Sequence, residues 1–162
     1  MGWEPVRRAG REMVFIPQSR GYIRGRLDYS INQKVTVEEF RELLIRSTLA
    51  ARRPIGDAAC LRGMMENSNL LIACRHKGLL VGLARCVTDF HFCCYLSDLA
   101  VDAAFQRRGI GRRLITLTRQ SLGPRCQIIL LAAPAAVDYY PRIGFEGHPR
   151  AWILPPGKPL KK

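Results

Sequence analysis

Apolar positions recur along this chain with two different periods, and each change of period marks an element. After Thr36, the residues Phe40, Leu43, Leu44 and Ser47 fall on one side of a helix. Thr36 and Glu39 frame its start as a capping box, in which the Thr36 hydroxyl accepts from the Glu39 amide and the Glu39 side chain reaches back. Pro54 ends that helical stretch, because a proline disfavours helix at the residue before it. Asp57 can cap a second, short helix carrying Leu61, Met64 and Met65, with the methionines as core filler.

The period then shortens. The runs LLIACR and LLVGLARCVTD, joined at His76, Lys77 and Gly78, read as a hairpin with His76 as a solvated turn residue. A first strand is expected at residues 27–31, and HFCCYLSDLAV supplies a third sheet strand. From there the order becomes strand 95–101, helix 110–121, strand 127–132 and helix 135–142, an alternation that implies parallel strands. FEGHPRAWIL offers two more short strands before a loose tail at residues 156–162. Residues 1–20 read as a loose basic arm, and no repeat or linker divides the 162 residues, so one domain is expected.

Composition narrows the setting. No stretch is apolar for long enough to span a bilayer, and the N-terminus lacks an apolar signal core, so the cytosol is the default compartment and no membrane partner is expected. None of the six cysteines forms a C-x-x-C pair, which argues for reduced thiols and against zinc or any other metal. The net charge of +13 favours an anionic partner: nucleic acid, a membrane surface or a phosphorylated ligand.

The chemistry concentrates in QRRGIGRR, residues 106–113, between an apolar strand and a helical pattern. Helix-start N–H groups have no internal partner and lie at the positive end of the helix dipole. Gly109 and Gly111 let an anion approach the backbone, and arginines surround them, so the turn reads as a diphosphate cradle. The nucleotide P-loop pattern is absent, and the dinucleotide pattern fails because Leu114 stands in place of its third glycine.

The context of this turn resembles the acetyl-CoA signature of the GNAT superfamily of N-acetyltransferases. Leu99-x-Val101 is followed by Gln106-Arg-Arg-Gly-Ile-Gly111, and Ala136-Val-Asp-Tyr-Tyr140-Pro-Arg-Ile-Gly144-Phe145 is similar to the family's second motif. The resemblance spans roughly residues 27–155. It implies an α/β, single-domain GNAT-like fold with a mixed central sheet of about six to seven strands and helices on both faces. It also implies an acetyl-CoA-dependent acyltransferase acting on an amine acceptor by direct attack.

By the same resemblance, the backbones of Leu99 and Val101 face the pantetheine amides. Gln106 opens the turn, and the amides of Arg107, Arg108, Gly109, Ile110, Gly111 and Arg112 face the diphosphate. Tyr140 matches the tyrosine near the sulfur, a phenol able to reprotonate the thiolate, while Tyr139 reads as packing. The asparagine that often leads the second motif is Ala133 here. Neither Tyr95 nor Ser97 is a convincing base; Asp98 reads as structural or as the end of a proton-accepting water chain, as Asp89 or His91 could be.

Two other readings stay open: a basic nucleic-acid-binding protein on the same scaffold, which lacks a recognisable nucleic-acid motif, and a CoA sensor without turnover. The identity of the acceptor and the oligomeric state, a homodimer included, are left open by the sequence.

Overall fold

The hydrophobic pattern folds into an α/β sandwich, seen here in a computed structural model that describes residues 25–161. The expected basic arm at residues 1–20 and the last residue of the tail lie outside this range. Five strands form one sheet in the order β1-β2-β3-β4-β5. They are β1 (Leu27–Ile31), β2 (Leu70–His76), β3 (Leu79–Thr88), β4 (Cys93–Val101) and β5 (Gln127–Ile129). The first four pair antiparallel, and β5 pairs parallel to β4, as the β-α-β order requires.

Helices cover both faces. Helices α1 (Val37–Arg46) and α2 (Ala58–Glu66) pack Phe40, Leu43, Leu44 and Leu61 against Ala73, Leu83 and Ala100 of the sheet. Helix α3 (Ile110–Gln120) packs Ile110 and Leu114 against Ile72, Val81, Ala84 and Leu96 on the other face. The capping box at Thr36 and Glu39 is present in both directions, and the Asp57 carboxylate accepts from the Cys60 amide. Met65 is buried and Met64 packs beside it.

Three expectations change. The sheet has five strands among the described residues rather than six or seven, because residues 145–155 form no ladder. Pro149 and Pro155 lie in that stretch and cannot donate, and Trp152 stands 92% exposed within it. The region after β5 holds only a 3-10 turn, Pro134–Ala136, and the short α4 (Tyr139–Arg142) instead of one helix over residues 135–142. His76 is buried rather than solvated; it ends β2 and lies 5.3 Å from the Phe105 ring, while Lys77 and Gly78 make the turn with positive φ.

A β-bulge decides what faces the site. The β3–β4 register shifts between Arg85 and Cys86, whose partners are Asp98 and Leu96, so Ser97 is the extra residue. Cys94 and Leu96 therefore point to the α3 face, whereas Ala100 points to the α1–α2 face. Asp98 turns with Ala100, towards arginines held by the α1–α2 layer.

Candidate active site

The site begins where two parallel strands part. β4 and β5 pair only through Cys93, Cys94 and Tyr95, opposite Gln127, Ile128 and Ile129. Beyond Tyr95, β4 continues for residues 96–101 while the chain after β5 turns away, which leaves one edge of β4 open. Asp102 N–H donates to Val81 O at 2.9 Å, so the backbone of Asp102 faces β3. Backbone direction alternates along a strand, so Leu99 and Val101 present their N–H and C=O groups to the open edge. The Gln106 side chain donates to Val101 O at 3.1 Å and occupies part of that edge. The side chains of Leu99 and Val101 pack, half-buried, against the α3-side core.

The chain reaches the turn under tight control. Asp102 is buried, accepts from Arg46 Nε of α1 at 2.7 Å and accepts from the Ala104 amide at 2.9 Å. Phe105 is buried and anchors the loop, and the Arg108 guanidinium lies 5.7 Å from its ring centroid. Arg107 has φ +60° and Gly109 φ +77°, a double left-handed twist that swings the backbone into α3. Gly109 is the N-cap and offers no side chain, so the first N–H groups of α3, on Ile110, Gly111 and Arg112, keep an open anion position. Gly111 has a packing reason of its own: a Cβ there would stand 3.2 Å from the Tyr139 hydroxyl. Arg112 is exposed at the turn, while Arg113 lies over the Tyr29 ring at 6.0 Å.

A cavity of about 200 Å³ fills the parting between β4 and the chain after β5. Tyr95, Ser97, Leu99, Leu130, Ala133 and Tyr140 line it, and Leu49, Arg52 and Arg53 close it from the α1–α2 side. A larger open hollow of about 450 Å³ lies between β1 and α1, at the opposite edge of the sheet, and shares no residue with the turn.

Neighbouring tyrosines of α4 have separate places. Tyr139 packs over Gly111, as its packing assignment anticipates, and Tyr140 enters the cavity. The two rings meet edge-on at 5.4 Å, and Tyr140 meets Phe145 in the same way at 5.4 Å. Gly144, with φ +95°, is the left-handed helix exit that puts Phe145 there. Burial first, and then neighbouring Tyr139, raise the Tyr140 pKa above the ordinary phenol value of 10.0. Its hydroxyl is therefore protonated at neutral pH.

Asp98 lies beneath the cavity floor and does not line it. It is 1% exposed; one carboxylate oxygen accepts from Arg53 Nε and the other from Arg85 Nε, each at 2.5 Å. Arg53 also donates to Ser97 O and to Arg52 O, and Arg85 donates to the Ser97 hydroxyl, the Ser68 hydroxyl and Met64 O. This network ties the bulge to α2 and to the loop after α1. The lone arginine in the apolar run LLVGLARCV signals a buried partner, but the sequence does not say which carboxylate supplies it. Asp89 caps its own loop, accepting from the amides of His91, Phe92 and Cys93, and those bonds hold its pKa well below the usual carboxylate range. Among the described residues, no three metal-ligating side chains converge, and no helix is long and apolar enough to cross a membrane.

Residues 36–151 match the family model described as an acetyltransferase (GNAT) domain. A histone acetyltransferase of soybean, Glycine max, is 35% identical over 75 residues, a match covering 43% of this chain and 31% of that protein. The match thus spans about a third of the relative's length. Among solved structures, a probable acetyltransferase of meticillin-resistant Staphylococcus aureus superposes with a TM-score of 0.64 at 17% identity, covering 85% of this chain and 100% of that one. The aminoglycoside N-acetyltransferase AAC(6')-Iy, solved with CoA, gives a TM-score of 0.61 at 18% identity, covering 83% of this chain and 97% of that one. These structural likenesses establish the shared fold, and the family match takes in β2, β3, β4, the glycine turn and α4 together. The chain belongs to the GNAT acetyltransferase family.

Proposed function

We propose that this protein transfers the acetyl group of acetyl-CoA to a primary amine by direct attack within a ternary complex. The observation that carries this reading is the parting of β4 and β5 after Tyr95 and Ile129, where Leu99 of the open strand edge and Tyr140 line one slot and Leu99 adjoins Gly111 at the start of α3. A ligand arm with amides can pair with Leu99 and Val101 as an added strand, without demands on side chains. Leu99 contributes the freer backbone, because Gln106 already holds Val101 O. The N–H groups of Ile110, Gly111 and Arg112 would receive the diphosphate, with Arg107 and Arg112 adding charge.

The residues divide the chemistry simply. Acetyl-CoA supplies a thioester carbonyl open to an amine. A C–N bond forms, the C–S bond breaks, and the Tyr140 hydroxyl donates its proton to the departing sulfur. Burial keeps that phenol protonated until the sulfur takes the proton. The amine's surplus proton leaves to water at the mouth, because both Asp98 oxygens are engaged by arginines, and water returns a proton to the Tyr140 phenolate. Asp98 serves by fixing Arg53 and the bulge. No cysteine lines the slot, so an acyl-cysteine step has no nucleophile there.

The test combines acetyl-CoA calorimetry with thiol release over a panel of primary amines. Saturable binding together with amine-dependent thiol release supports the proposal. Tight binding without release for any amine overturns it in favour of a sensor.

A further inference from the structure

Resting on that transfer reading, the geometry points to an acceptor that carries a carboxylate beside its amine, held by Arg52. The slot has two ends of different character. Leu99, Leu130, Ala133 and Ala136 line the end nearer α3 and α4, while Leu49, Arg52, Arg53, Tyr95 and Ser97 line the end under the α1–α2 layer. Leu99 of the first end adjoins Gly111 at the start of α3, so the turn proposed for the diphosphate lies beside that end and the second is left for the acceptor. No carboxylate lines either end.

Arg52 and Arg53 are adjacent but differently placed. Arg53 is spent on structure: its three nitrogens donate to Asp98, Arg52 O and Ser97 O. By gripping the Arg52 carbonyl, it fixes the backbone from which the Arg52 side chain projects. Arg52 itself is exposed, and its guanidinium has no ion pair or hydrogen bond among the described residues. It ends the 3-10 turn Leu49–Arg52 at the lip of the slot. A free, planar guanidinium fork on a fixed backbone suits a carboxylate, which it can bind through two parallel hydrogen bonds.

The charge balance points the same way. Arg53, Arg85 and Asp98 together leave one positive charge at and beneath the wall of the slot, and Arg52 adds another at the lip. This field disfavours the ammonium form of an acceptor and so promotes the neutral amine that can attack. The same field repels a second ammonium and attracts an anion. Acceptors with several amino groups are therefore poorly matched to this mouth.

The test uses matched short aliphatic acceptors that share one primary amine and end in a carboxylate, a carboxamide or a second amine. Thiol release from acetyl-CoA gives kcat/KM for each on the parent, on Arg52→Gln and on Arg52→Lys. The expected result is a carboxylate preference of roughly tenfold or more over the amide on the parent. Arg52→Gln should abolish that preference while acetyl-CoA affinity stays at the parental value. Arg52→Lys should keep an intermediate preference, since it retains charge but loses the fork. An amide or diamine preferred by the parent, or a carboxylate preference that survives in folded Arg52→Gln, overturns the inference and leaves the transfer reading standing. Absence of thiol release for every member, with acetyl-CoA bound, overturns the transfer reading itself and takes the inference with it.

Discussion

Arg85 of β3 reaches across the bulge to Asp98 of β4, and both residues are buried, at 5% and 1% exposure. The pair is stable because Arg53 neutralises the second carboxylate oxygen and because Ser97, Ser68 and Met64 O take further guanidinium N–H groups. Removing one partner would leave a buried charge uncompensated. Asp98→Asn should therefore cost about 3–5 kcal/mol of stability, measured by denaturant unfolding. The pH profile of the remaining folded enzyme should keep its shape. A lost acidic limb would mean that Asp98 accepts the acceptor's proton.

The glycine turn gives a prediction in two parts. Gly109 sits at φ +77°, where a side chain with a branched Cβ is strained by about 1 kcal/mol or more. Asparagine tolerates that region, so Gly109→Asn should bind acetyl-CoA better than Gly109→Val by calorimetry. Gly111→Ala should act differently, by pressing the new Cβ on the Tyr139 hydroxyl. Its affinity loss should be partly relieved by Tyr139→Phe. Equal affinities across this series would remove the diphosphate from the turn.

Local signals explain why the turn was legible in sequence and the bulge was not. The capping box at Thr36 and Glu39, the Asp57 cap and the Lys77-Gly78 turn each depend on residues a few positions apart, so their spacing shows in the chain. The parallel β4–β5 pair follows from the strand–helix–strand order. The bulge at Ser97 is different, because register with β3 sets it and no spacing along β4 reveals it. The Asp98 network likewise gathers residues from Arg53, Ser68, Arg85 and Ser97, which lie far apart in sequence. His76 misleads because its neighbours Lys77 and Gly78 are turn residues, whereas Phe105, contributed by a distant loop, covers it. The stretch after Phe145 reads as strands by composition, yet it has no partner strand in the sheet.

Alkaline stability should report the buried phenols. Burial, with a smaller push from Cys74, raises the Tyr29 pKa to about 12, and burial also raises Tyr139 and Tyr140 above 10.0. Below pH 10 these phenols are protonated in folded and unfolded chains alike, so their titration changes nothing. Above it the unfolded chain ionises first and binds fewer protons than the native state, so stability falls from pH 10 towards about 12. Thermal melts over that range should show the decline, and Tyr29→Phe should make it shallower. A melting point that rises over the same interval would contradict the assignment.

We propose that Tyr140, in the slot between β4 and the chain after β5, delivers the proton that lets the thiolate leave. Tyr140→Phe keeps the ring and its edge-on contacts with Tyr139 and Phe145, so melting and acetyl-CoA affinity should stay near the parent. The decisive measurement is single-turnover acetyl transfer by purified Tyr140→Phe at saturating acetyl-CoA. The expected result is a fall of roughly 10²-fold in the chemical step, with Tyr139→Phe losing far less. A folded Tyr140→Phe protein that transfers acetyl at the parental rate would contradict it, and would show that the proton comes from another group.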